Sequence, residues 1–324
     1  MSGGDGVSDA IIFQRQFEAL CANVEDFIRG KSEVVRLALV CLLAEGHLLI
    51  EDVPGVAKTS LAKAISRSIA GAEVKRIQFT PDLLPSDVTG VQVYDQGRAK
   101  FEFRQGPVFT NILLADEINR ASPKTQSALL EVMAERQVTV DGRPTPVPQP
   151  FLCIATQNPI EHHGTYALPE AQLDRFMMRI GIGYPDDLAD EVSILEYGVT
   201  RRRAEELQSV MEVDDLRQMI RAVREQQVAD SIREYIAVLA RATRTHPDVE
   251  LGVSPRGGMA LVAAAQAYAM SAGRSFVTAD DVKAVASPVL NHRLLLTPEA
   301  RIQQRTPESI LADVTGTAPV PVGR

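Results

Sequence analysis

The sequence predicts an α/β domain, in which helices cover a five-stranded parallel sheet, followed by a smaller all-α domain. Between Gly46 and about Tyr184, short apolar runs alternate with amphipathic helical segments. Short runs without polar alternation are typical of strands buried on both faces, and their alternation with helices indicates a parallel sheet. After Tyr184 the strand runs stop and helical periodicity continues almost to the end of the chain, which indicates the second domain.

The individual elements follow from these runs. The strands are predicted at residues 47–53, 74–79, 111–117, 151–159 and 178–184. The later helices are predicted at residues 187–198, 213–226, 229–245, 255–272, 279–290 and 306–313. Start signals support two of these helices, because Ser254 precedes Pro255 and Thr278 is followed by Asp281 three residues on. The paired aspartates at 186–187, 214–215 and 280–281 favour first-turn helix charges over metal ligands.

Two intervals do not fit a minimal strand–helix unit and are predicted to be β-hairpins. Residues 80–110 contain two alternating apolar and polar runs around "DQGR", and residues 137–150 contain a second pair around Asp141-Gly142. The α/β domain is then expected at 11–185 and the helical domain at 186–315. Residues 1–10 are expected to be flexible and the tail, 316–324, to be disordered.

Composition and charge disfavour a nucleic-acid partner. The chain of 324 residues is 45% hydrophobic and 23% charged, which is ordinary for a globular protein, and its formal net charge is -8. Polyanion-binding proteins usually carry a basic patch, yet the densest basic cluster, Arg201 to Arg203, is followed by two glutamates. Aromatic residues make up 5% of the chain and Trp is absent, so stacking platforms for single strands are not expected.

The cysteines and the hydropathy pattern indicate a cytoplasmic protein. Cys21, Cys41 and Cys153 are far apart, lack metal-ligand spacing and lie in apolar contexts. They are therefore predicted to be buried free thiols in a reducing compartment. The polar, acidic N-terminus does not read as a signal peptide. The longest apolar run, residues 37–44, is far shorter than the ~18 residues that cross a bilayer.

The stretch "EDVPGVAKTS", residues 51–60, has the context of a phosphate-binding loop, because it joins an apolar run to a helical segment. In such a loop, backbone N–H groups and the helix dipole hold the phosphates. A lysine reaches the β- and γ-phosphates, and the next hydroxyl binds Mg²⁺. Lys58 and Thr59 fill these roles, and Gly55 is the glycine kept in the turn. The loop alone leaves open an ordinary strand–turn–helix with an exposed lysine.

Acidic and amide side chains follow two further predicted strands. In "NILLADE", Asp116 can hold Mg²⁺ and Glu117 can polarise a water for in-line attack on a γ-phosphate. A helix-capping role for these acids fits less well, because the next helix more naturally begins at Ser122-Pro123. In "IATQNP", Asn158 can position the attacking water at the carboxyl edge of the sheet, where ligands bind in open α/β folds. In isolation, a simple Asn-Pro turn would be the favoured explanation.

Together these segments resemble the MoxR AAA+ ATPases, within the helix-2-insert clade that includes magnesium chelatase subunits. The resemblance covers roughly residues 15–300. It rests on "EDVPGVAKTSLAKA", "LLADEINRASPKTQSALLEVMAERQVTV", "IATQNPIEHHGTYALPEAQLDRFMMRI" and "GVSPRGG". It implies an AAA+ P-loop NTPase fold with a C-terminal all-α lid, a helix-2 insert near 84–109 and a pre-sensor-1 hairpin near 137–150.

The resemblance also implies roles for individual residues. Lys58 and Thr59 would belong to Walker A, Asp116 and Glu117 to Walker B, with Thr59 and Asp116 as Mg²⁺ ligands and Glu117 as the catalytic base. Asn158 would be sensor 1, Arg175 in "LDRF" the arginine finger, and Arg256 in "SPR" sensor 2. The implied ATP contacts are Ile28, Arg29 and Gly30 at the adenine, and Pro54, Gly55, Val56, Ala57, Lys58, Thr59 and Ser60 at the phosphates.

An ATP-hydrolysing, chaperone-like ring follows from the same resemblance. ATP would bind between the α/β domain and the lid at a subunit boundary, and hydrolysis would need Arg175 of a neighbouring subunit. Arginine fingers supplied in trans contribute ~10³–10⁵ in rate in GTPases, so a lone monomer should be nearly inactive. The resemblance implies a homo-oligomeric ring, a hexamer, that remodels client proteins. Its typical partner carries a von Willebrand factor type A domain.

The sequence leaves two other functions open. The first is a DNA-associated AAA+ motor, against which the net charge and sparse aromatics stand. The second is a non-catalytic nucleotide-binding scaffold subunit, because the pattern G-x-x-x-x-G-K-[ST] has glycine where this chain has Asp52 and Ala57. We expect the Asp52 side chain to point away from the phosphates. If residue 57 needs a positive φ, alanine there costs about 1 kcal/mol, which weakens a site without abolishing it.

His162 and His163 lack partners at ligand spacing and are predicted to be loop residues. Arg120, in "EINR", and Arg136 match the resemblance, but the sequence does not decide whether they serve the nucleotide or a subunit interface.

Overall fold

A computed structural model describes residues 5–52, 58–140, 142–158, 165–184, 187–192 and 207–320. The N-terminal half contains the helices α1 Asp5–Glu25, α2 Ser32–Leu43, α3 Lys58–Arg67, α4 Pro85–Thr89, α5 Pro123–Glu135 and α6 Glu170–Leu173. Its strands are β1 Leu48–Glu51, β2 Ile69–Ala70, β3 Val74–Gln78, β4 Gly90–Asp95, β5 Lys100–Gln105, β6 Ile112–Asp116, β7 Gln137–Val140, β8 Arg143–Pro146, β9 Leu152–Gln157 and β10 Met178–Ile180.

The C-terminal half is mainly helical. Its helices are α7, whose described residues are 188–192, and α8 Val213–Glu225, α9 Asp230–Thr245, α10 Pro255–Ser271, α11 Ala279–Leu290, α12 Pro298–Ile302 and α13 Pro307–Thr317. Its strands are β11 Met211–Glu212, β12 Val249–Leu251 and β13 Leu295–Leu296. The predicted start signals are present, since Ser254 and Thr278 accept N-cap hydrogen bonds from Gly257 and Asp281.

The five predicted strands form one parallel sheet with the order β10-β1-β9-β6-β3. Successive residues face opposite sides of this sheet. Leu48 and Ile50 belong to the core cluster shared with α1, α2, α3 and the lid helices. Leu49 belongs to the cluster shared with α5. The central strands are thus buried on both faces, as predicted, whereas β3 lies at the sheet edge and is partly exposed.

The two predicted hairpins are present as the antiparallel pairs β4–β5 and β7–β8. Tyr94 and Phe101 face each other across β4–β5 with ring centroids 5.2 Å apart, and 70% of Phe101 is exposed. Of the residues that the structure describes, no helix combines the length and apolar character needed to cross a membrane.

Three expectations need correction. Strands do not stop at Tyr184, because β11 pairs in parallel with β2 and β12 pairs with β13. These strands are only two or three residues long, too short to give a periodic signal. Residues 5–10 are helical rather than flexible, since they begin α1, where Ala10 is buried. Residues 316 and 317 complete the last turn of α13 rather than belonging to a disordered tail.

Candidate functional site

The helix α3 presents its N-terminus at the carboxyl edge of the sheet, directly after β1. It begins at Lys58 and has no acidic residue in its first turn, so its positive end suits an anion. Lys58, Thr59 and Ser60 are all half-buried. Pro54, Gly55, Val56 and Ala57, predicted to surround the phosphates, lie outside the described residues.

Lys58 lies among acids and is partly desolvated. Its Nζ donates a hydrogen bond to the Asp52 carbonyl at 2.7 Å. Burial lowers the pKa of Lys58, and the charges of Asp52, Asp116 and Glu117 oppose that shift. Lys58 therefore lies close enough to Asp116 and Glu117, the residues predicted to hold Mg²⁺ and water, for their charges to act on it.

The carboxylate of Asp52 is bound by the backbone that follows β10. Its Oδ2 accepts hydrogen bonds from the N–H groups of Ile182 at 2.7 Å and Gly183 at 2.6 Å. This arrangement is consistent with the expectation that the side chain points away from the phosphates. The acid therefore ties β1 to its neighbour in the sheet.

Asp116 and Glu117 lie at the end of β6 and share one hydroxyl partner. The Thr156 hydroxyl donates to Asp116 Oδ1 at 2.6 Å and accepts from the Glu117 N–H at 2.9 Å. Thr156 is buried in the adjacent strand β9. Glu117 adopts a left-handed backbone conformation, with φ of 56°, which turns the chain at this point. Thr156 therefore fixes both acids relative to each other, a role that sequence reasoning missed.

Three further residues bind the same two carboxylates, namely Arg120, whose role the sequence left undecided, and Arg76 and Gln78, which sequence reasoning missed. Arg76 donates to Asp116 Oδ2 from Nε at 3.2 Å and Nη2 at 2.6 Å. Gln78 Nε2 and Arg120 Nη1 donate to Glu117 Oε2 at 2.8 and 2.9 Å. Arg76 and Gln78 are two apart on β3 and face the same side. Their polarity within a strand predicted to be buried was the signal that could have identified them.

The donor set at this edge fits Mg²⁺. Asp116 and Thr59 offer oxygen ligands, which this hard cation prefers. Within the described residues no three His, Cys, Asp or Glu side chains group together as a metal site. Mg²⁺ is usually bound by one or two carboxylates together with substrate phosphates, and Asp116 would supply such a carboxylate.

Asn158 follows β9 at the same edge and is buried. Its backbone carbonyl accepts a hydrogen bond from Asn119 Nδ2 at 3.5 Å. The β1–β9 register pairs Glu51 with Gln157, so Asp52 and Asn158 leave their strands side by side. Lys58, Asp116, Glu117 and Asn158 thus belong to one edge of the sheet.

The predicted adenine contacts lie between α1 and α2. Ile28 is part of the hydrophobic core, Arg29 pairs with Asp26 at 3.4 Å, and Gly30 packs tightly against Asp190. A cavity of about 410 Å³ opens between α2, the carboxyl ends of β1 and β10, and α11. The Glu51–Arg179 ion pair, at 3.1 Å, lies on its wall, and its described lining residues do not include Ile28, Arg29 or Gly30.

Arg175 and Arg256 lie together at the opposite, amino edge of the sheet. Both line a cavity of about 340 Å³. Its charged lining residues are Glu45, Arg136, Asp174, Arg175, Arg256 and Arg293. Arg175 Nη1 donates to the Leu130 carbonyl of α5 at 2.6 Å. Arg136, whose role the sequence left undecided, pairs with Glu45 at 2.6 Å. The four arginines outnumber the two acids, so this cavity is electropositive.

The two arginines are separated from Lys58 by the full length of the sheet. Gly46 and His47, which also line the electropositive cavity, precede β1, and Asp52 follows it. At ~3.3 Å per residue, His47 and Asp52 are about 16 Å apart. One chain therefore does not bring Arg175 or Arg256 to the phosphate end of its own α3. His162 and His163 lie outside the described residues.

The three cysteines are free and buried, as predicted. Burial raises the pKa of the Cys21 thiol to about 12, while Arg36 opposes that shift. Burial also raises the pKa values of Cys41 and Cys153. These thiols are therefore inert packing groups and take no part in the site.

Comparisons with known proteins agree with this architecture. A family model described as the ATPase family associated with various cellular activities (AAA) matches residues 47–178, and one described as an AAA lid domain matches residues 241–314. A solved structure from Cytophaga hutchinsonii superposes with a TM-score of 0.89 at 34% identity, covering 97% of this chain and 98% of that one. The fold is the AAA+ α/β fold with its helical lid.

Two relatives identify the family to which the chain belongs within this fold. The protein YeaC of Bacillus subtilis is 50% identical over 295 residues, covering 91% of this chain and 92% of that protein. Chaperone MoxR1 of Mycobacterium tuberculosis is 41% identical over 328 residues, covering 98% of this chain and 85% of that protein. The chain belongs to the MoxR family of AAA+ ATPases.

Proposed function

We propose that this protein hydrolyses ATP in a hexameric ring, with each active site built from two neighbouring subunits. The observation that carries the proposal is the separation of charge along the sheet. Lys58, Asp116 and Glu117 lie at the carboxyl edge, and Arg175 and Arg256 lie at the amino edge. A chain with half of a phosphoryl-transfer site at each edge completes that site by head-to-tail contact with another copy, and such contacts form a ring when the rotation between neighbours closes.

The carboxyl edge supplies the groups that bind ATP and activate water. Lys58 and the N-terminus of α3 bind the phosphates, and Asp116 with Thr59 would hold Mg²⁺, which supplies further charge neutralisation when bound. Glu117 accepts the proton of the attacking water, and the Asn158 amide orients that water. Glu117 must first leave Gln78 and Arg120, which bind its Oε2 in this conformation. Of the residues expected at the adenine, Gly30 lies against Asp190, in the segment that follows β10.

The amino edge of the next subunit supplies positive charge. Arg175 and Arg256 approach the γ-phosphate from across the interface and stabilise the charge of the transition state. Because both arginines come from one neighbour, we propose that the lid of a subunit serves the site of its neighbour as well as covering its own cavity.

A chaperone-like role in remodelling client proteins completes the proposal. The relative named chaperone MoxR1 supports this role, and so does the apolar tip of the β4–β5 hairpin, where Tyr94 and Phe101 are exposed. The proposed partner is a protein with a von Willebrand factor type A domain. The buried free thiols fit a reducing, cytoplasmic location.

The test is a steady-state ATPase assay on the assembled ring. Glu117→Gln removes the base but keeps the shape and hydrogen-bonding capacity of the side chain, so we expect the rate to fall ~10²–10⁴-fold. Nucleotide binding, followed by titration calorimetry, should persist in this variant. Equal rates in the wild type and in Glu117→Gln would overturn the catalytic claim and favour a scaffold role.

A further inference from the structure

A buried ion-pair cluster joins the lid to the segment that carries Arg175. Arg293, which ends the short turn Asn291–Arg293 of the lid, is 8% exposed. Its Nε donates to Asp174 Oδ1 at 2.6 Å, and its Nη2 donates to the carbonyl groups of Asp174 and Phe176 at 3.0 and 2.8 Å. Its Nη1 donates to the Met177 carbonyl at 3.1 Å. One guanidinium therefore binds the backbone on both sides of Arg175.

The same aspartate also binds the start of the helix that carries Arg256. The Ser254 hydroxyl donates to Asp174 Oδ2 at 3.1 Å and accepts from the Gly257 N–H at 3.2 Å as the N-cap of α10. A Cβ added to Gly257 would lie 2.8 Å from Arg293 Cδ, so α10 packs directly on the Arg293 side chain. The two carboxylate oxygens of Asp174 thus contact two separate parts of the lid.

We infer that Asp174 is a positioning residue that holds Arg175 and Arg256 as one unit for the nucleotide of the neighbouring subunit. This inference rests on the proposed function. Asp174 lies at the amino edge with the two arginines, away from the phosphate-binding end of its own chain. Its carboxylate is adjacent in sequence to Arg175 and bonded to the residue two before Arg256. Loss of this carboxylate lets the two arginines move independently.

Loss of the Asp174 carboxylate should lower the turnover rate, whereas ATP binding by the same chain should change little. A displacement of about 1 Å can cost ~10²-fold in rate, so Asp174→Asn should lower kcat by that order. KM should change less than about 3-fold, because the groups that bind ATP lie at the other edge of the sheet. Asp248→Asn is the matched control, since Asp248 pairs with Arg305 at 3.3 Å in the lid, apart from Asp174. This control should keep wild-type kcat.

Mixed rings separate a role in the neighbour's site from a role in the chain's own site. Lys58→Ala subunits have an inactive phosphate-binding half-site but keep Asp174. Asp174→Asn subunits keep Lys58. An equal mixture should recover about a quarter of the wild-type rate, because random assembly puts an intact Lys58 against an intact Asp174 at about one interface in four. A mixture of Lys58→Ala with Glu117→Gln should stay inactive, since both changes lie in the same half-site.

The outcomes distinguish the inference from the proposed function. A wild-type kcat in Asp174→Asn overturns the inference. The inference also fails if Lys58→Ala subunits restore ATPase activity when mixed with Arg175→Ala subunits but not when mixed with Asp174→Asn subunits. If wild-type rings hydrolyse ATP no faster than Lys58→Ala rings, the proposed function itself is overturned.

If Asp174→Asn does not assemble into rings, Ser254→Gly replaces it. Glycine is tolerated at an N-cap at a small cost, so this variant removes chiefly the hydroxyl bond to Asp174 and should lower kcat about 10-fold; an unchanged kcat overturns the inference.

Discussion

The buried imidazole of His47 makes the stability of this protein depend on pH. His47 lies beneath the electropositive cavity, where its Nε2 is 3.0 Å from the Met133 carbonyl and its Nδ1 accepts from the Cys153 N–H at 3.1 Å. This pattern requires a neutral ring with its proton on Nε2, since a second proton on Nδ1 would face a donor. The pKa of His47 is lowered to about 4, chiefly because the ring is buried; the bond to Met133 opposes this shift and the charge of Arg136 adds to it.

The magnitude follows from the linkage between proton binding and folding. In the unfolded chain a histidine titrates near pH 6.5, so between that pH and about pH 4 the unfolded state binds more protons than the folded state. Acidification therefore favours unfolding, and stability falls as the pH decreases. With these two pKa values, His47 removes about 2 kcal/mol from the free energy of unfolding between about pH 7.5 and pH 5.

The assay is urea denaturation at both pH values, on the wild type and on His47→Gln. Glutamine does not titrate, so the variant should lose about 2 kcal/mol less than the wild type over the same interval. His292 remains in both proteins and titrates in the same direction, because burial lowers its pKa as well. Its contribution cancels in the comparison. An equal loss of stability in both proteins would show that His47 is not the neutral, buried group described above.

Two other predictions concern the carboxyl edge. Arg76→Met removes a half-exposed cation that competes with Mg²⁺ for Asp116, so the Mg²⁺ concentration for half-maximal ATPase should fall about 2–5-fold. A Mg²⁺ titration checks this, with Arg98→Met on the hairpin as control, and a higher Mg²⁺ requirement would contradict it. Asp52→Ala removes the acceptor of two backbone N–H groups and should lower the free energy of unfolding by about 2 kcal/mol in urea. ATP affinity should change less than about 3-fold, and unaltered stability would count against this role.

The sequence predicted each strand of the sheet because a buried parallel strand is a continuous apolar run, and such a run is local information. The order β10-β1-β9-β6-β3 was not predictable from these runs, since it depends on crossovers between distant segments. For this reason the position of Arg175 at the edge opposite Lys58 emerged only from the structure. Arg256 was likewise identified by its motif, but nothing in that motif gives the edge of the sheet at which it lies.

The partners of the site residues were harder to predict than the residues themselves. Thr156 belongs to an apolar strand, and its contact with Asp116 depends on the pairing of β6 with β9. Arg293 lies more than a hundred residues from Asp174 and follows no recognised motif. Side chains of this kind act through contacts between distant segments, and a single sequence carries no periodic signal for them.

The core shared by the two domains has a consequence for how the chain folds during synthesis. One face of the sheet, including Ile50, Leu114 and Ile154, belongs to the same hydrophobic cluster as Leu216 of α8 and Leu311 of α13. A ribosome that has made only the α/β segment has therefore produced a sheet with part of one face still uncovered. Domains usually fold as units during translation. Here the last helix must leave the ribosome before that face is complete, and until then the nascent chain is exposed to aggregation.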